Sequence, residues 1–185
     1  MSEPIYNLAF DFGASSGRMI LSKFQDGKIE LEELHRFYNE PVWVGKVFYW
    51  DTFRMYHELK TGLKKAAARK IPIQSMGIDT WGVDYCLLDK EGNVIGNPIH
   101  YRDDRTEHSI EEVGKIVPLE ELYGTTGIQF MKFNTLFQLH ADMQMRPDIY
   151  EKADKILLMP DMFGYFLTGK KYNEYTELST GQVLD

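Results

Sequence analysis

Residues Leu8–Ile20, LAFDFGASSGRMI, decide how the rest of the chain is read. The apolar run from Ile5 to Phe12 reads as a strand, with Asp11 at its end. Gly13, Ala14, Ser15, Ser16 and Gly17 follow, all small and two with hydroxyls, and Arg18 opens a second apolar run, Met19-Ile20-Leu21. Glycine permits the unusual backbone angles and close approach that a phosphate-cradling turn needs. Backbone N–H groups and the two serine hydroxyls are suitable donors to phosphate oxygens. The Asp11 carboxylate repels phosphate and would act through a hydrated Mg2+. An ordinary tight hairpin accounts for the same residues, so the turn alone leaves both readings open. It is not a Walker A loop, because none of the pairs Gly45-Lys46, Gly114-Lys115 and Gly169-Lys170 is followed by Ser or Thr. It is not a dinucleotide fingerprint either: Gly13 and Gly17 are spaced G-x-x-x-G, and a strand rather than a helix follows.

Outward from this turn, the second strand runs over about Arg18–Phe24. Asp26-Gly27 signals a two-residue hairpin, and a third strand runs from Lys28 to about Phe37. Its alternation breaks near Glu32-Glu33, which predicts a bulge. Asn39–Tyr49 reads as an irregular connection. Asp51 is a good helix N-cap, with Trp50 and Met55 at staple positions. The helix extends to about Arg69, with Phe53, Tyr56, Leu59, Leu63 and Ala67 as its apolar stripe. Pro72 stops it, and Ile73–Asp79 reads as a buried strand, again ending in an acid. Val83–Leu88 is a strand with a short partner at Val94-Ile95. A helix opens at Arg102–Arg105 and runs to about Val113. Pro118–Tyr123 is a short helix ended by Gly124. Asn134–Arg146 is a helix with Leu136, Leu139, His140 and Met143 on one side. Lys155–Met159 is a buried strand, and Asp161 caps a helix that ends at Gly169. A three-strand antiparallel meander followed by alternating helices and strands predicts an α/β architecture with a mixed sheet and flanking helices.

Composition narrows the function classes. The chain has 185 residues, 43% hydrophobic and 26% charged, with a net charge of −7. Such an acidic balance argues against a nucleic-acid surface, which needs a basic patch, and against an anionic membrane. No apolar run approaches the ~20 residues that span a bilayer, and the first residues, MSEPIYN, do not read as a signal peptide. Cys86 is the single cysteine, which excludes an internal disulfide and makes a cytoplasmic setting the expectation. Cys86 lies in an apolar run and reads as core. The histidines at 35, 57, 100, 108 and 140 are scattered without metal-ligand spacing.

A second motif repeats the logic of the first. In Gly77–Asp84, GIDTWGVD, a strand delivers Asp79, Thr80 and Trp81 to a turn at Gly82, and Asp84 follows. An indole face beside carboxylates suits a polyhydroxylated ligand: sugar C–H faces stack on the ring while hydroxyls bond to polar groups. A core tryptophan beside a turn is the alternative, but it leaves the carboxylates at the strand end without a reason. In Tyr101–Thr106, YRDDRT, Arg102 and Asp103 read either as polar walls of a ligand cleft or as a solvated helix start. In GIQFMKFNTLFQL, Asn134 and Thr135 stand at a helix start, where capping suffices.

Together, FDFGASSGR, SMGIDTWGVDYCLLD, HYRDDRT, TGIQFMKFNTLFQL and LLMPDMFGYFLTG, in this order, resemble the rhamnulokinase group of the FGGY carbohydrate kinases. The resemblance runs from about Leu8 to Leu184. It implies the ribonuclease H-like, actin-like ATPase fold and the phosphorylation of L-rhamnulose to L-rhamnulose 1-phosphate by ATP with Mg2+. Ala14, Ser15, Ser16, Gly17 and Arg18 match the group's nucleotide-phosphate loop, and Asp11 the acid associated with Mg2+ through water. Gly82 matches a sugar-contacting glycine, flanked by Trp81 and Asp84; Arg102 and Asp103 lie in a segment bordering the sugar. Enzymes of this family have two domains. The resemblance therefore implies that residues 1–185 are an N-terminal domain whose partner, a C-terminal domain of the same protein, carries the catalytic Asp and the adenine pocket beyond residue 185. No catalytic base is expected within the chain, and alone it is expected to be inactive. A kinase for another ketose, such as L-fuculose or xylulose, and a non-catalytic sugar-binding module are the alternatives.

Overall fold

The computed structural model describes residues 2–184. In chain order the strands and helices are β1 (Ile5–Phe12), β2 (Ser16–Gln25), β3 (Lys28–Tyr38), β4 (Val42–Val44), β5 (Val47–Tyr49), α1 (Thr52–Ala67), β6 (Ile73–Asp79), β7 (Tyr85–Leu88), α2 (Ser109–Ile116), α3 (Leu119–Thr126), α4 (Thr135–Met145), α5 (Pro147–Lys152), β8 (Lys155–Leu158), α6 (Met159–Thr168) and α7 (Tyr175–Ser179). A 3-10 turn, Asp104–Thr106, precedes α2. The chain folds into two compact units. The first runs through Pro41 and resumes over Asp51–Trp81; the second comprises Val42–Trp50 and the residues from Gly82 on.

The first unit is a four-stranded sheet in the order β3-β2-β1-β6, with α1. β1, β2 and β3 pair antiparallel, as the meander predicts, and β6 joins β1 in parallel. Asp26 and Gly27 both take positive φ, 47° and 75°, the handedness a two-residue hairpin turn requires. The predicted bulge is present: Met19 pairs with His35 but Ile20 pairs with Glu33, leaving Leu34 as the extra residue. Alternation sends Leu8, Phe10 and Phe12 of β1 to the buried face, where Phe37 of β3 joins them. Phe10 and Phe12 lie 4.4 Å apart.

Asp51 caps α1 by accepting the Arg54 N–H, but the buried stripe differs from the expected one. Thr52, Met55, Glu58, Leu59, Gly62 and Ala66 are buried, while Phe53 is 58% exposed. The small residues set this face. A Cβ on Gly62 would come within 3.0 Å of the Met19 side chain, so the helix crosses β2 closely where it has least bulk. Glu58 is held there by His35 Nε2 at 2.6 Å and Arg54 Nε at 2.6 Å. Burial raises the Glu58 carboxyl, but these two partners outweigh it and leave the group below its usual range. β6 is not the buried strand expected: none of its residues is fully buried, because it forms an edge of this sheet.

The second unit contains the β4-β5 hairpin, the antiparallel pair β7-β8, whose strands are far apart in the chain, and the remaining helices. The segment read as an irregular connection forms the β4-β5 hairpin, with Gly45 at φ 63° in its turn. β7 is shorter than expected, starting at Tyr85, and packs with Leu158 in a core joined by Leu139, Ile149 and Ile156. The helix expected from Arg102 to Val113 is instead a 3-10 turn followed by α2. α3 passes Gly124 and ends at Gly127, which takes φ 66°. α4 ends before Pro147, and Pro147 opens α5. α6 starts at Met159, so Asp161 lies inside its first turn and accepts the Glu174 N–H rather than capping. Gly169 ends that helix in the left-handed region, as expected. Cys86 is buried, and burial pushes its thiol up to about 12.

Candidate functional site

The predicted phosphate turn is the tip between β1 and β2. The ladder closes with Phe12 opposite Gly17, and the Gly13 N–H donates to the Ser16 carbonyl at 2.9 Å. Ala14 and Ser15 form the exposed tip. Neither Gly13 nor Gly17 takes a positive φ, so unusual backbone angles are not what the glycines supply. They supply close approach: a Cβ on Gly13 would stand 2.9 Å from the Ser16 carbonyl oxygen, and one on Gly17 would stand 2.2 Å from Phe37 Cε1. Asn39, buried just beyond β3, braces the turn from behind. Its side-chain amide donates to the Gly13 carbonyl and its backbone N–H to the Ser15 carbonyl, both at 3.0 Å. Sequence reading passed over Asn39, whose only signal is an amide directly following a strand.

Asp11 and Arg18 are cross-strand partners, with Nε 2.8 Å from Oδ2. This is a contact between charges without the alignment of a hydrogen bond. On the other side of β1, the parallel register sets Asp79 of β6 level with Asp11. The two acid-ended strands of the sequence are therefore neighbours, and both carboxylates leave the same face at the carboxyl end of the sheet. That end is where open α/β sheets take their ligands. Among the described residues there is no cluster of three or more metal-ligating side chains. Two adjacent carboxylates suit a hydrated Mg2+ that also takes substrate phosphates, since Mg2+ keeps several waters.

The GIDTWGVD stretch spans the two units: Trp81 ends one segment of the first and Gly82 begins the second. Trp81 is half-buried. Beyond it, the Asp84 N–H donates to the Gly82 carbonyl at 3.0 Å, closing a three-residue turn with Val83 at φ 72°. A left-handed angle at a β-branched residue is strained, at a cost of about 1–3 kcal/mol. Gly82 itself has no positive φ, and a Cβ there would meet only Glu177 Oε1 at 3.4 Å and Thr180 Oγ1 at 3.7 Å, ordinary contact distances.

A buried polar framework holds this turn. The Asp84 carboxylate accepts the Trp50 indole N–H at 2.6 Å, the Tyr101 N–H at 3.2 Å and the Gln138 amide at 2.9 Å. The Val83 carbonyl accepts from Thr135 Oγ1 at 2.9 Å and from Gln138 Nε2 at 3.3 Å. Gln138 Oε1 accepts from Arg105 Nη2 at 2.6 Å, and Arg105 Nε donates to Asp142 at 2.8 Å. Asp103 accepts the Phe48 and Arg105 N–H groups. Arg102 stays exposed, its guanidinium 5.3 Å from the Tyr101 ring centroid. Thus α4 buries Thr135, Phe137, Gln138, Ala141 and Asp142 rather than the apolar side expected. Sequence reading missed Arg105, Gln138 and Asp142, because a buried polar residue looks like a solvated one until its partners are known.

A three-strand meander whose first strand ends in an acid and a small-residue turn, and a second strand-acid-glycine stretch, place the chain in a defined class. The N-terminal domain of the FGGY family of carbohydrate kinases matches over residues 6–185, and the chain belongs to that family. Its curated relatives include the rhamnulokinases of Halalkalibacterium halodurans, 47% identical over 97% of this chain, and of Oceanobacillus iheyensis, 46% identical over 97%. The chain spans only 38% of the length of each of these relatives. In fold it is similar to a ligand-bound xylulose kinase from Lactobacillus acidophilus, with a TM-score of 0.83 at 14% identity over 97% of this chain and 36% of that one. It is also similar to Plasmodium falciparum glycerol kinase with ADP, with a TM-score of 0.78 at 20% identity over 100% of this chain and 39% of that one. No helix among the described residues is long and apolar enough to cross a membrane.

Proposed function

We propose that the chain is the N-terminal domain of a cytoplasmic, ATP-dependent kinase that phosphorylates L-rhamnulose to L-rhamnulose 1-phosphate. The observation that carries this reading is the identity of 46–47% with rhamnulokinases across nearly the whole chain. In this reading the exposed tip Ala14-Ser15, with Ser16, Gly17 and Arg18, holds the ATP phosphates. Asn39 occupies two of the turn's carbonyls, which would otherwise repel phosphate. Asp11 holds hydrated Mg2+, with Asp79 beside it; when bound, the ion offsets the charge of the phosphates. Arg18 balances Asp11 until then.

On the sugar side, Gly82 gives a ligand close access to the backbone. Neither its backbone angle nor tight packing requires glycine there, which leaves access as the reason. Trp81 offers an indole face, and exposed Arg102 borders the sugar. Asp84 and Asp103 are proposed to shape this wall from within, since each carboxylate already accepts from several protein donors. The catalytic base and the adenine pocket belong to a C-terminal domain of the same protein. The full-length protein should turn over L-rhamnulose with MgATP in preference to L-fuculose and xylulose in a coupled ADP-release assay. Preference for another ketose would reassign the substrate, since a few hydrogen bonds decide such choices. Binding of sugar without any turnover would favour the non-catalytic module.

A further inference from the structure

We propose that Thr135 and Gln138, at the start of α4, are positioning residues that hold the Gly82 turn in its sugar-binding geometry, an inference that rests on the sugar-kinase reading above. Val83, not a glycine, occupies the left-handed position of this turn, at φ 72°. Left to its own preference a valine leaves that region, so the surroundings must over-determine it. Two α4 side chains do so. Thr135 Oγ1 donates to the Val83 carbonyl at 2.9 Å, and Gln138 Nε2, whose shorter bonds run to the Phe133 carbonyl at 2.7 Å and to Asp84, lies 3.3 Å from the same carbonyl. The Gln138 amide reaches the next residue as well, donating to Asp84 Oδ1 at 2.9 Å. Both side chains are fully buried, at 0% exposure, so neither touches a ligand itself.

The position of the glycine gives the clamp its purpose. Glycine at 83 would have removed the strain, yet the sequence spends its glycine at 82, where the backbone does not demand one. Pinning the Val83 carbonyl fixes the 83–84 peptide, whose N–H donates to the Gly82 carbonyl at 3.0 Å, and so fixes the Gly82 backbone that the sugar approaches. The Arg105 guanidinium fixes Gln138 in turn, through Oε1 at 2.6 Å, which settles which end of the amide faces the turn. Loss of the clamp should therefore act on the sugar and not on the nucleotide.

The test compares Thr135→Val, which keeps the shape and removes the hydroxyl, with Thr135→Ser, which keeps the hydroxyl, and with Gln138→Met, all in the full-length protein. Initial rates with L-rhamnulose and MgATP are read well below the melting temperature of each variant. Thr135→Val and Gln138→Met should raise the sugar KM at least tenfold and leave the ATP KM within twofold, while Thr135→Ser stays close to wild type. A Thr135→Val sugar KM within twofold of wild type would overturn the positioning role while leaving the kinase reading intact. Equal rises in the sugar and ATP KM values would overturn it too, as the mark of general loosening. A wild-type protein that turns over no ketose would end the kinase reading and this role with it.

Discussion

Asn39 shows how one amide can brace a turn from two sides. Of its two bonds to the Gly13 and Ser15 carbonyls, Asn39→Ala removes the one to the half-buried Gly13 carbonyl, at about 1 kcal/mol. In the full-length protein this substitution should raise the ATP KM about tenfold with little change in the sugar KM; an unchanged ATP KM would mean that the amide serves folding alone. His100 makes a pH-dependent contribution. Its ring lies 4.0 Å from Trp50 and 4.5 Å from Phe48, and its Nδ1 accepts the Arg102 N–H. Burial, then the charges of Arg102 and Arg105, push its pKa down to about 4 against the pull of Asp103. The unfolded chain takes up this proton near pH 6.5 and the folded chain only near 4. Stability from this group is therefore complete above pH 6.5 and falls as pH drops from 6.5 to 4. Urea midpoints over that window should fall more steeply for wild type than for His100→Phe. Parallel slopes would show that the folded protein protonates His100 at its ordinary pH.

At the scale of elements, α1 and α4 make the same point about amphipathic helices. The expected stripe of α1 followed its largest apolar residues, whereas the buried one follows Met55, Leu59, Gly62 and Ala66. Substitution discriminates the two faces. Phe53→Ser should change stability by no more than about 0.5 kcal/mol, and Leu59→Ala should cost about 2–5 kcal/mol, both read from urea unfolding of the isolated chain. A Phe53 effect as large as that of Leu59 would restore the original stripe. In α4 the inversion goes further, because the buried face is largely polar and its partners, Val83, Asp84 and Arg105, come from distant parts of the sequence. The strands were more legible. Their limits follow from alternation and from turn chemistry at Asp26-Gly27, both local, so β1 and β3 appear within a residue of where they were expected.

In the proposed kinase, the chain would supply the phosphate turn and the Gly82 wall, and the base would lie in another domain. Phosphoryl transfer is mainly positioning and charge stabilisation, with a base to orient the nucleophile. The chain of residues 1–185 alone should therefore show no turnover of L-rhamnulose with MgATP, under conditions where the full-length protein is active. Turnover by the isolated chain would place a base among its own residues and overturn the division of labour proposed here.

The sequence by itself determined the meander, the mixed α/β class, the cap at Asp51, the hairpin at Asp26-Gly27 and the family, because each rests on local backbone chemistry or on short motifs. The LAFDFGASSGRMI turn was legible as a candidate phosphate loop, although its glycines are explained by the Ser16 carbonyl and the Phe37 ring rather than by unusual angles. Only the tertiary structure decided that Asp79 stands beside Asp11, that Asn39 braces the turn and that Thr135 and Gln138 clamp Val83. Each of these joins residues far apart in the chain through strand register or helix packing, and a polar side chain carries no local mark of the partner that will bury it.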